Sequence, residues 1–184
     1  MKKISLPFLL LLITFNSMNL NNYALANIPI PTHFMADFGC QVLKSEADEI
    51  ATFLIEMNDA RIMDTQQGIL ARDKATSESI RHYGQIMIND QAMLKSKIEE
   101  LAASKSIVLP TELSAEKATG LAELKKLEGK QFDKKLKKML KKDHKRDIRA
   151  FKKASKMNDQ AVSSFANENL PLLKEHLDRL KWIH

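Results

Sequence analysis

Asp64, Gln91, His144 and His176 are side chains that can ligate a cation or share a proton, and each falls where an apolar residue is due. Asp64 lies seven residues after Met57, four after Ala60 and four before Gly68. At about 100° per residue this puts it in the middle of a helical apolar stripe. Gln91 holds the same place between Met87 and Leu94, His144 between Leu140 and Ile148, and His176 between Leu172 or Leu173 and Leu180. A buried polar group left without a partner costs roughly 1–3 kcal/mol. Four such groups on four apolar stripes are therefore expected to meet one another. Asp147, three residues after His144, joins them, with Asp143 and Asp90 close in sequence. Two chemistries fit. Carboxylates and imidazoles converging from facing helices can hold a transition metal, and iron, manganese, zinc or copper would each accept these donors. The same groups can instead form a structural polar layer, hydrogen-bonded among themselves.

Four long helices are needed to bring these residues together. Strand signals are scarce: the chain has 5 Gly and 5 Pro, and Ala, Leu, Lys, Glu and Met recur at helical spacing. The class is all-α. Ser45 with Asp48 makes a capping box, and a first helix is predicted from Glu46 to Lys74. Thr76 or Ser77 caps a second, running to about Ser104. Pro110 makes the stretch Ile107–Thr111 a connector. Ser114 opens a short helix that Gly129 is expected to end. Asp133 is read as the N-cap of a third long helix, to about Met157. After the turn at Asn158 and Asp159 a fourth runs from Gln160 to about Ile183, with Pro171 inside it as a point of kinking. This pattern predicts a four-helix bundle with a long connector and a short extra helix between the second and third long helices.

Several local motifs, spread along the chain, resemble those of the bacterial domain-of-unknown-function 4142 family. They are Asp64 four before Gly68; Met87-Ile88-Asn89-Asp90-Gln91; Leu109-Pro110-Thr111-Glu112-Leu113-Ser114; Leu127-Glu128-Gly129-Lys130-Gln131-Phe132-Asp133; His144; and Leu170-Pro171-Leu172-Leu173-Lys174-Glu175-His176. The resemblance covers about Phe53 to Lys181 and implies an exported protein with a ferritin-like fold. It carries no settled biochemical activity. Asp64 stands where that family usually has glutamate, and Gln91 where it usually has histidine. The first donor is thus one methylene shorter, and the second is a neutral amide oxygen, a poorer transition-metal donor. The paired Glu-x-x-His motifs of di-iron bundles are missing, so ferritin-type oxidation is not implied.

The N-terminus reads as a secretory leader. Lys2 and Lys3 precede an apolar run from Leu6 to Phe15 that is too short to span a bilayer, and Ala24-Leu25-Ala26 follows. Cleavage after Ala26 would leave an irregular lead-in over residues 27–45 and a bundle domain over 46–184. The expected location is the periplasm or the envelope. Cys40 is the only cysteine, which excludes an internal disulfide and a Cys-pair redox or zinc motif. No Gly-rich phosphate loop or local Ser/His/Asp arrangement is visible.

The 29 Lys and Arg exceed the 23 Asp and Glu by 6, and the excess is concentrated between Lys134 and Arg146, with Lys152 and Lys153 beyond. This basic face suits anionic lipid headgroups, lipopolysaccharide or nucleic acid, or else is simply solvated. With one Trp and two Tyr the stacking platforms of single-strand binders are missing, and nucleic acid is not expected as a partner. His33, His82 and His184 lie off the stripes and are not site candidates. Met57, Met63 and Met87 fall at core spacing, where methionine is a filler more often than a copper ligand. The functional expectation is an exported bundle that binds a metal ion at Asp64, His144 and His176, with Gln91 and Asp147 beside them. The alternative is a non-catalytic structural or stress-related envelope protein with a purely structural core layer, or one whose basic helix binds anionic surfaces.

Overall fold

The structure, a computed structural model, describes residues 44–183. The leader, Cys40, His33, His184 and most of the lead-in lie outside the described residues. Those described contain five helices and no strand: α1 Glu46–Lys74, α2 Glu78–Ser104, α3 Ala115–Lys125, α4 Gly129–Ala154 and α5 Gln160–Trp182. No described helix is long and apolar enough to cross a membrane.

The α1 boundaries follow from its caps. The Ser45 hydroxyl accepts from the Asp48 N–H while the Asp48 carboxylate accepts from the Ser45 N–H, so two N-terminal donors are satisfied reciprocally. Asp159 likewise accepts from the Val162 N–H at 3.0 Å and starts α5, which stays helical on both sides of Pro171.

Two expectations at the other end of the molecule need correction. The short helix α3 ends at Lys125, before Gly129. Gly129 instead opens α4, with φ +57°, a left-handed backbone angle that glycine adopts without strain. Nor does Asp133 cap its own helix. Its carboxylate, buried a full turn inside α4, accepts from the backbone N–H groups of Thr76 and Ser77 at 3.2 and 3.3 Å and from the Thr76 hydroxyl. It anchors the entry to α2, because those donors precede the helix and have no intrahelical acceptor.

α1 packs along α2 and against α4, α5 packs on α4 and α2, and α3 lies over α1 and α4, making a helical bundle. The 105–114 connector is tied to α1, since Asn58 donates to the Pro110 carbonyl at 2.7 Å and Asp59 accepts from the Ser114 N–H at 3.0 Å. The apolar interior is in two parts. One holds Phe53, Leu54, Met57, Leu94, Ile98, Phe151 and Phe165; the other holds Ile80, Tyr83, Met87, Phe132, Leu136, Leu140 and Leu180. A layer of buried polar side chains lies along the same helices between these two sets of positions.

Candidate functional site

All four interrupting residues are buried: Asp64 and His176 are each 1 % exposed, and Gln91 and His144 are 0 %. Asp147, also fully buried, is in the same layer. What organises them is a residue the stripe pattern did not single out. Arg61, fully buried, donates from a single Nη2 to the Asp64 carboxylate at 2.9 Å and to that of Asp147 across the bundle. The signal was present in the sequence, because Arg61 lies four after Met57, three before Asp64 and seven before Gly68. An arginine is read as solvent-facing by default, which is why it escapes. A second arginine closes the layer from outside: Arg146 bonds Asp143 at 3.1 Å and the other oxygen of Asp147 at 3.0 Å. Gln67 reaches Asp143 from α1 at 3.3 Å.

The histidines sit beside this ionic cluster. The His144 Nδ1–H donates to the Leu140 carbonyl at 2.9 Å, which leaves Nε2 as a buried lone pair that accepts no hydrogen bond. His176 uses both nitrogens: Nε2 meets Asp90 at 2.8 Å and Nδ1 meets the Gln91 amide at 3.4 Å. An amide NH2 can only donate, so Nδ1 is the acceptor and the proton is on Nε2, facing the Asp90 carboxylate. The two imidazoles pack edge to face with centroids 5.6 Å apart, and the Tyr83 hydroxyl donates to the His176 carbonyl at 3.3 Å. His82, by contrast, is exposed on α2.

The family described as Domain of unknown function (DUF4142) matches residues 42–183. The chain belongs to the DUF4142 family. No curated protein and no solved structure matches it. The chemistry of this DUF4142 chain lies in the layer itself.

A resident transition metal needs several lone pairs aimed at one point. Among the described residues no group of three His, Cys, Asp or Glu side chains is so disposed. The bonding explains this. Asp64 and Asp147 each give an oxygen to Arg61, Asp147 gives its other to Arg146, and His176 has both nitrogens engaged. What remains in the layer is His144 Nε2, Gln91 Oε1, Gln67 Oε1 and Asp64 Oδ1, one imidazole nitrogen, two neutral amide oxygens and one carboxylate oxygen. A guanidinium, which carries only donors, occupies the place between the carboxylates that a cation would take. As arranged, Asp64, His144, His176, Gln91 and Asp147 do not fit a metal ion.

Burial raises the Asp64 carboxyl to about 7, with Asp147 and Asp143 adding to the rise against the opposing pull of Arg61. Two arginines face three carboxylates here, and one proton balances the layer. Burial lowers His144 to about 4, and lowers His176 as well, although the Asp90 hydrogen bond pulls His176 the other way. The consequences for stability oppose each other. Folded Asp64 holds a proton that the unfolded chain releases near the ordinary carboxyl value of 3.8, so its contribution is present at acid pH and is lost as pH rises to about 7. The unfolded chain protonates a histidine near the ordinary imidazole value of 6.5 while folded His144 does not until about 4, so stability is lost as pH falls through that window. Between pH 4 and 6.5 the Asp64 slope therefore offsets that of His144. Asp64→Asn removes only the first. Its unfolding free energy, read from urea titrations, is expected to climb with pH across this window more steeply than wild type, by up to about 1.4 kcal/mol per pH unit. Parallel pH profiles for the two proteins would show that Asp64 is ionised throughout.

Proposed function

We propose that the protein is an exported, ferritin-like bundle of the cell envelope whose central polar layer is a structural lock and not a metal centre. The observation that carries this reading is Arg61: a fully buried guanidinium bonded to both Asp64 and Asp147, supplying the positive charge that the carboxylates would otherwise take from a metal. An ionic layer of this kind does little for net stability but makes every shifted register expensive, because any slip strands a buried charge. The layer draws on α1, α2, α4 and α5, so it fixes all four long helices at once. Export rests on the leader pattern of residues 1–26 and on the small-residue site at Ala24-Leu25-Ala26.

Protein purified from the compartment where it accumulates is expected to begin at Asn27 and to carry no more iron, manganese, zinc or copper than His144→Ala/His176→Ala purified alongside. The double variant should still lose about 2 kcal/mol of stability, through the severed bonds to Leu140, Asp90 and Gln91. Stoichiometric metal in the wild type that the variant lacks would overturn the reading and restore the metal centre. A chain that retains Met1 would remove the exported part of it.

A further inference from the structure

The outer side of α4 carries a row of cations that nothing in the fold uses. Lys134, Lys138, Lys141, Lys145, Arg149 and Lys152 are all exposed, and none makes a side-chain hydrogen bond or ion pair among the described residues. Their spacing is 4, 3, 4, 4 and 3 residues. At about 100° and 1.5 Å per residue, all six fall within about 80° of the helix circumference, in a straight ridge about 27 Å long. The flanking lysines differ. Lys135 pairs with Glu123 of α3, Lys153 pairs with Glu49 of α1, and Lys137 donates to the Ile183 carbonyl. Glu123 and Glu49 are thus paired with the flanks, and Asp143 and Asp147 of α4 itself are turned into the core with Arg146 and Arg61. Like charges at i,i+4 on a helix repel, so the ridge weakens α4 unless a polyanion lies along it.

We propose that the ridge is a docking surface for an anionic phospholipid bilayer. A straight row of point charges on the convex side of one helix can touch a plane along its whole length, and five of the six are lysine, whose compact ammonium suits a diffuse sheet of headgroup phosphates. The Lys137 contact brings the end of α5 to the start of the ridge, but Trp182 there is exposed on the α5 face it shares with Glu175 and Asp178, so the attraction rests on the ridge. Nucleic acid fits less well. No aromatic residue interrupts the ridge to stack a base, and Tyr83 is buried in the core.

The test uses the protein as it accumulates after export, beginning at Asn27, in every sample, so that the apolar run from Leu6 to Phe15 adds no binding of its own. Co-sedimentation with vesicles of mixed phosphatidylglycerol and phosphatidylcholine is expected at about 0.1 M salt, with binding at least about tenfold weaker at about 0.5 M and absent on phosphatidylcholine alone. Lys138→Glu/Lys145→Glu/Arg149→Glu should weaken binding at least about tenfold, while Lys125→Glu/Lys126→Glu/Lys174→Glu, equal in charge change but on other elements, stays within about twofold. A measurement on the wild type needs no variant: bound vesicles should shield Lys138, Lys141 and Lys145 from acetylation and leave Lys126 and Lys174 reactive. Equal losses from the two triple variants, binding indifferent to salt, uniform acetylation, or tighter binding to a DNA duplex than to vesicles at the same phosphate concentration would each overturn the proposal.

Discussion

Replacing Arg61 by Met is expected to cost about 3–5 kcal/mol. Met fills most of the volume of the arginine stem and has no charge, so the cost falls chiefly on what is left behind. Asp64 loses its only side-chain hydrogen bond, and Asp147 keeps only the bonds that Arg146 makes to its other oxygen. Two carboxylates then remain in an interior that no longer holds a full positive charge, and they can recover only by taking up protons. The loss should therefore shrink as pH is lowered toward 5, which urea unfolding at several pH values would reveal. Arg61→Met/Asp64→Leu/Asp147→Leu separates charge from packing. An apolar layer of similar bulk should regain most of the lost stability. A triple variant as unstable as the single one would mean that Arg61 matters for its shape and not for its charge.

The position of Arg61 also shows where reading the sequence stops. Capping and periodicity are local, and they locate α1, α2 and α5 closely: Ser45 with Asp48 and Asp159 before Val162 satisfy donors within a few residues of themselves. Asp133 and Gly129 mislead for the opposite reason. An aspartate near the start of an apolar run has the form of an N-cap, but this one satisfies donors 56 and 57 residues away, and nothing local distinguishes the two uses. The polar layer was legible as a set of positions. Asp64, Gln91, His144, His176 and Asp147 all lie in it, because each breaks an apolar stripe that must be buried. Its chemistry was not legible. Whether facing carboxylates bind a metal or a guanidinium depends on which cation is present between them, and the helical spacing that marks Arg61 is overridden by the default reading of an arginine as solvent-facing. Gln91 gave the better hint, since an amide is a weak ligand and a good partner for the Nδ1 of His176.

Gly68→Ala/Gly84→Ala is expected to cost about 4 kcal/mol, although alanine is the better helix former at both positions. A Cβ on Gly84 would lie 2.6 Å from the Gly68 carbonyl oxygen, 2.7 Å from the Ala71 Cβ and 2.8 Å from the Arg72 nitrogen. One on Gly68 would lie 2.9 Å from the Gly84 carbonyl oxygen. Most of these neighbours are backbone and cannot swing aside as a side chain would, so α1 and α2 must separate along the face on which they pack most extensively. The glycines are close to the layer: Gly68 is one turn beyond Asp64, and Gly84 two turns before Gln91. Separating the helices there would displace Arg61 and Asp64 of α1 relative to Gln91 of α2 and loosen the layer as well as the apolar packing. Gly120 of α3 is the control. A Cβ there meets only the Met139 Cε at 3.7 Å, an ordinary contact, so Gly120→Ala should gain the helix preference alone and stabilise by about 0.5–1 kcal/mol. Thermal or urea midpoints that move in opposite directions for the two substitutions would establish that the α1–α2 crossing, and not helix propensity, selects glycine at positions 68 and 84. Midpoints that rise in both would mean that the helices can part at little cost and that the layer is held together by its ion pairs alone.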